Sequence, residues 1–191
     1  MKKFLFSFIA ILCASVMNGQ TVTEYFDAGN PIKIDGTEFY LGWSSNPATG
    51  YFVQEYFPMG EAPEHYNRML TVSPLKFNQT TAVAAQAKVQ ELEERKEKDK
   101  VCNYQMLERN GECIVDFVVS DISSGELTTV EWNIHYYKQI KIGKQNYLLL
   151  TFLSQRAYGD DIIPFLKSIP DKRAKTTIAL TEKKLKIKKL K

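Results

Sequence analysis

The sequence has few of the residues that most often build catalytic and metal sites. It contains 2 histidines, His65 and His135, and 3 cysteines in 191 residues. Zinc sites need several convergent ligands, and neither histidine has a second histidine or a cysteine at the spacing of a metal motif. GxSxG, Walker and GxGxxG segments are also missing. We therefore predict no metal, no cofactor and no catalytic residue. The rival hypothesis is a secreted hydrolase-type enzyme with a site assembled from scattered residues around His135.

Long apolar runs are scarce as well. The longest, residues 4–17, follows two lysines and is shorter than the ~20 residues that span a bilayer. A basic start, an apolar stretch and the small residue Gly19 are typical of a cleavable signal peptide. We expect cleavage between Gly19 and Gln20, with cleavage after Ser15 as the alternative. The remaining protein is then secreted or periplasmic, with no transmembrane span.

Charge of one sign does not dominate the chain. The formal net charge is +3, which argues against nucleic acid as a partner. The cations concentrate in a run of lysines near the C-terminus. This run either docks a structural protein on an anionic surface, or it forms a solubilising tail or an edge strand protected by lysines. The lysines proposed for anionic-surface binding are Lys183, Lys184, Lys186, Lys188 and Lys189.

The order of predicted elements indicates one α+β domain. We assign residues 1–19 to the signal peptide, 20–170 to the domain, and 171–191 to a basic C-terminal tail or edge strand. Strand-like alternation or composition marks six segments, and helical spacing or helix-start signals mark three more. The predicted strands are 37–43, 51–57, 102–109, 112–120, 128–136 and 147–153, and the predicted helices are 64–72, 80–99 and one that starts near 160.

A hairpin at Asn110-Gly111 is the best defined of these elements, because that pair favours a type I′ turn. A two-residue turn places Glu108 opposite Cys113 and puts Cys102 about six residues further along the strand. At about 3.3 Å per residue the two cysteines are then far beyond disulfide distance. We predict that Cys102 and Cys113 are free. Cys13, the third cysteine, follows a bulky leucine, which argues against a lipoprotein.

One stretch carries a family resemblance. Residues 55–61 (EYFPMGE), followed by 66–72 (YNRMLTV), resemble a segment of uncharacterised exported bacterial proteins. The element order is similar to the Mog1/PsbP-like fold. Because short turns join consecutive strands, we expect an antiparallel sheet of about six strands covered by helices. The resemblance implies a binding or accessory role without catalysis.

Aromatic residues crowd the first predicted hairpin. Trp43, Tyr51 and Tyr56 are the candidates for ligand binding, because aromatic side chains on a half-exposed sheet can line a groove; core packing is the competing explanation. The functional hypothesis is an exported, non-catalytic binding or accessory module of the bacterial envelope. Its partner is an envelope protein or an anionic surface.

Overall fold

The computed structural model describes residues 22–76, 78–123, 125–187 and 190. The predicted signal peptide, both cleavage sites, Lys188 and Lys189 lie outside these residues.

Eight strands and two α-helices make up the domain. Of the described residues 50% are in strands and 24% in helices. The strands are β1 (Ile32–Ile34), β2 (Thr37–Ala48), β3 (Tyr51–Phe57), β4 (Arg68–Leu75), β5 (Asn103–Arg109), β6 (Glu112–Ser123), β7 (Glu126–Ile142) and β8 (Gln145–Tyr158); the α-helices are α1 (Thr81–Lys96) and α2 (Ile162–Thr181), the latter preceded by a short 3-10 turn.

All strands form one antiparallel sheet in the order β1-β2-β3-β4-β8-β7-β6-β5. The sheet curls into a half-barrel. The predicted fold class was therefore wrong: the structure is not a sheet of about six strands covered by helices in a Mog1/PsbP-like sandwich. Alternation of apolar and polar residues predicts individual strands well. The curling of the whole sheet depends on the twist that accumulates between neighbouring strands, and composition does not reveal it.

The largest local error concerns residues 64–72, which were predicted as a helix. Residues 68–72 belong to β4, a central strand between β3 and β8. Leu70 and Val72 are fully buried on one side of the sheet, while Thr71 and Ser73 are buried on the other. In so short a segment the apolar residues fit either periodicity, and pairing with two neighbouring strands decided the outcome.

Other predictions were confirmed. The Asn110-Gly111 turn has positive φ at both residues, 53° and 74°, as a type I′ turn requires. Glu108 lies opposite Cys113, as the two-residue turn predicted. The helix predicted at 80–99 is α1, and the side chain of Thr80 caps it by accepting a hydrogen bond from the Val83 amide.

Two hydrophobic clusters lie on opposite sides of the sheet. On the side that we call the α2 face, α2 packs on a large core that includes Trp132, Leu70 and Leu153. On the other side, the α1 face, α1 packs chiefly on β5, β6 and β7 around Phe117 and Leu150. No helix within the described ranges is long and apolar enough to cross a membrane.

Candidate functional site

The structure does not bring the three predicted ligand-binding aromatics together. Trp43 lies opposite Glu55 in the β2–β3 pair, and Tyr51 is an even number of residues from Glu55, so both half-buried side chains are on the α1 face. Tyr56 points to the α2 face, is 0% exposed and belongs to the core there. Core packing therefore accounts for Tyr56, and Trp43 and Tyr51 remain on a half-buried sheet surface.

The described part of the basic tail has an alternating arrangement. Residues 182–187 follow α2 without regular secondary structure. Leu185 and Ile187 pack against the α2-face core, and Lys184 and Lys186, each directly before one of them, are exposed. Lys183 is half-buried.

His135 is a core residue on the α1 face. Its ring stacks on Phe152, with 3.6 Å between ring centroids, and meets Phe117 edge-on. Burial, and then the nearby Lys88, lower the pKa of His135 well below its usual value. Its Nδ1 is 3.4 Å from the Tyr137 hydroxyl. These surroundings are a packed aromatic cluster, so they give no support to an enzyme site around His135.

Both described cysteines are buried free thiols. The Cys102 Sγ contacts the Leu92 carbonyl at 3.5 Å, and the Cys113 Sγ contacts the Thr81 hydroxyl at 3.5 Å. Burial is the main cause that raises the pKa of each thiol. Within the described ranges, no group of three histidine, cysteine or acidic side chains could hold a metal ion.

The strongest candidate site is a cleft of about 240 Å³ beneath one flank of α2, which we call the basic cleft. Its floor consists of the buried side chains Ile34, Phe39 and Leu153. Its walls carry three cations: Arg68 from β4, and Lys172 and Lys175 from α2. A cleft of this size suits a small molecule or ion.

Arg68 is fixed at the entrance of β4 by its neighbours. Its backbone amide donates a hydrogen bond to the Glu61 carboxylate at 2.9 Å, and the Asn67 amide donates to the same oxygen at 2.7 Å. Its guanidinium Nη1 donates to the Thr37 hydroxyl. The guanidinium is thus held by a neutral group, which leaves its charge available to an anion.

The lysines of the cleft come from successive turns of α2. Lys172 donates to the Ser168 hydroxyl at 3.1 Å, again a neutral partner. Lys175 pairs with Asp35 at 2.8 Å, and Asp35 also receives a hydrogen bond from the buried Thr176 at 3.5 Å. Three positive charges against one negative charge give the lining a net charge of +2.

The side chains of the basic cleft are of types that can hold an anion. Arginine and lysine donate charge-assisted hydrogen bonds to carboxylate or phosphate oxygens. The buried Gln155, opposite Arg68 across β4 and β8, adds a neutral polar group. The sequence analysis missed this site, although Arg68 stands inside the quoted YNRMLTV segment. The signal was the unusual position of an arginine at the start of a buried strand.

A second polar cluster lies on the α1 face, where Tyr66 anchors the loop before β4. The Tyr66 hydroxyl donates to Glu131 at 2.9 Å, and Arg156 lies over the Tyr66 ring, 4.1 Å from its centroid, while pairing with Glu131. Burial, and then Glu131, raise the pKa of Tyr66. Burial also raises the pKa of Glu55 to about 7, against the opposing effect of Arg156. This cluster fixes the loop that positions Arg68 on the other face.

The fold is a small, strand-rich domain in which a curled eight-strand sheet and two helices leave a basic cleft beside α2. A family model matches residues 26–185, so the chain belongs to that family, whose function is uncharacterised. No curated protein and no solved structure matches the chain. The resemblance to exported proteins is unconfirmed.

Proposed function

We propose that this protein is a non-catalytic binding module that holds a small carboxylate- or phosphate-bearing anion in the basic cleft. The observation that carries the proposal is Arg68, whose guanidinium is held by the Thr37 hydroxyl. It lines the same cleft as Lys172 and Lys175.

The surroundings of the cleft favour an anion over a neutral ligand. Apolar side chains form the floor, so a bound anion would be partly shielded from water, which strengthens its interaction with the cations. The Lys175–Asp35 pair already satisfies one cation in the free protein. The ligand would then interact chiefly with Arg68 and Lys172.

We further propose that the module acts outside the cytoplasm, in the envelope of the cell. The support is the signal-peptide pattern of residues 1–19 in the sequence. The anion would then be one that is present in that compartment.

The test is titration of the protein with inorganic phosphate and with succinate, at constant ionic strength, followed by amide chemical shifts. We expect shifts at Ile34, Arg68 and Gln155 and a millimolar or tighter dissociation constant. Arg68→Gln should weaken binding about tenfold or more, the factor that about 1.4 kcal/mol gives. Preference for phosphate or for succinate identifies the class of anion.

The matched control is Lys167→Gln, because Lys167 is an exposed cation of α2 outside the residues that line the cleft. It should leave the dissociation constant unchanged. Equal weakening by both variants would mean that only the overall positive charge matters. That result, or the absence of shifts around the cleft, would refute the proposal.

A further inference from the structure

A second cleft lies on the opposite flank of α2, beside the edge of the sheet. It has a volume of about 280 Å³ and is bounded by β5 on one side and by α2 on the other. Val118 and Ile169, both buried, form its apolar floor. None of its lining residues belongs to the basic cleft. We refer to it as the edge cleft.

The strand that borders the edge cleft is open on one side. β5 is the last strand in the sheet order and pairs with β6 over its whole length without a register shift. Within the described residues, its other edge has no strand partner. Edge strands are commonly protected by proline, charged side chains or a bulge. Asn103–Arg109 (NYQMLER) has no proline and no bulge, and its charges are confined to Glu108 and Arg109 at the end next to the turn. The other edge strand, β1, has only three residues.

The helical wall of the edge cleft contains a proline. Pro170 lies inside α2 and has no N–H group, so the Leu166 carbonyl loses its bond from the residue four positions later. Both residues line the cleft. Position 170 therefore contributes no backbone donor to this wall of the cleft.

The same wall offers an incompletely used cation. The Arg173 Nε atom lies 3.1 Å from the Asp116 carboxylate, yet this N–H group is buried and makes no hydrogen bond. The short distance therefore reflects a charge contact without directed bonding. Asp116 instead accepts bonds from Trp132 at 3.0 Å and Gln105 at 3.3 Å. The half-exposed guanidinium can still pair with an incoming carboxylate.

We propose that the edge cleft binds an extended peptide segment of a partner protein, which adds a strand to β5 and places an acidic side chain against Arg173. The open backbone edge of β5 is suited to strand addition, because main-chain hydrogen bonds to the added strand supply affinity. Alternate side chains of the added strand project to the same face as Asn103 and Gln105, where the cleft lies. The positive charge of Arg173 selects the acidic side chain among them.

The probe is a capped pentapeptide with glutamate between two valines and a threonine at each end. Its controls are the same peptide with glutamine in the centre and one with alternate backbone amides N-methylated. Binding to the full chain is followed by amide shifts. We expect the largest shifts along β5. Glutamine should weaken binding about fivefold, and N-methylation should abolish it because the added strand loses its amide donors.

Arg173→Gln provides the reciprocal test. It should weaken binding of the glutamate peptide about fivefold and leave the glutamine peptide unchanged, whereas Lys167→Gln should affect neither. If the Arg173 variant does not fold, the glutamate and glutamine peptides can still be compared on the natural protein, and their difference measures the effect of the peptide charge. Equal binding of the N-methylated peptide, equal binding of both side chains, or shifts away from β5 would overturn the proposal. Phosphate binding at the basic cleft is a separate readout that none of these outcomes affects.

Discussion

Two carboxyl groups on opposite faces of the sheet, the buried Asp116 and the half-buried Glu55, have very different surroundings. On the α2 face, Asp116 is 2% exposed, accepts two side-chain hydrogen bonds and lies beside the Arg173 charge. On the α1 face, Glu55 receives no hydrogen bond from the described part of the chain, and burial raises its pKa to about 7. The two carboxyl groups thus differ in whether the fold supplies hydrogen-bond donors to them.

The two helices explain why the faces differ. α2 crosses its face of the sheet and brings Arg173 to Asp116. α1 packs chiefly on β5, β6 and β7, so the surface of β3 around Glu55 has mostly strand neighbours. The cation that acts on Glu55 is Arg156, which is already paired with Glu131. On the α2 face, Asp116 therefore has donors and a nearby cation of its own, whereas Glu55 on the α1 face has no partner of its own among the described residues.

The largest effect should come from removing the charge of Asp116. Asp116→Asn keeps the size of the side chain, but it leaves Arg173 without a counter-charge and supplies one acceptor oxygen fewer. We expect the free energy of unfolding to fall by about 2–3 kcal/mol, measured by urea denaturation at neutral pH. The control is Asp121→Asn, since that exposed carboxylate pairs with a half-exposed Arg95. It should cost less than about 0.5 kcal/mol. Equal losses would show that the buried network contributes nothing specific.

Glu55→Gln should have a smaller effect that depends on pH. The folded protein keeps the Glu55 proton up to about pH 7, whereas the unfolded chain loses it near pH 4.3. Stability contributed by this group therefore falls as the pH rises between these values, and the loss is complete above the folded pKa. Glu55→Gln has no ionisable group at this position, so it does not lose stability in this way as the pH rises. Its stability relative to the natural protein should rise by about 2 kcal/mol between roughly pH 5 and pH 8.

The measurement is urea denaturation across that pH range, with Glu94→Gln as the control on the exposed surface of α1. His135 contributes the opposite slope, because burial lowers its pKa and its stabilising effect is lost as the pH falls through the unfolded value. It is present in both proteins and cancels in the difference. Parallel stability curves for the Glu55 variant and the natural protein would show that Glu55 is ionised at neutral pH.

Local sequence features predicted the hairpin and α1 well. Asn110-Gly111 determines its own turn geometry, and the turn then sets the pairing of Glu108 with Cys113. The stripe that includes Ala85, Val89 and Leu92 determines the buried side of α1. These features need no information from distant residues, because turn type and helical periodicity are local properties.

The site was harder to predict because its residues meet only through long-range packing. Arg68 reaches the basic cleft through pairing of β4 with β8, and Lys172 and Lys175 reach it through the docking of α2. Tyr56 failed as a ligand candidate for the same reason: its place in the α2-face core depends on the register between β3 and β4. Composition alone does not distinguish a strand aromatic in the core from one in a groove.

Tyr66→Phe should have the smallest effect of the three, because the carboxylate that loses a donor keeps others. Glu131 would retain the bond from Asn133 at 2.9 Å and the pair with Arg156, and the phenyl ring can still pack beside Phe57. We expect a loss of about 1 kcal/mol in urea denaturation and faster amide exchange at Asn67, next to the loop. Tyr40→Phe is the control, since its exposed hydroxyl donates to the exposed Glu38 carboxylate, and it should leave stability unchanged. A loss as large as that of Asp116→Asn would show that the α1 face, too, depends on every donor of its polar network, and the contrast between the faces would then be confined to Glu55.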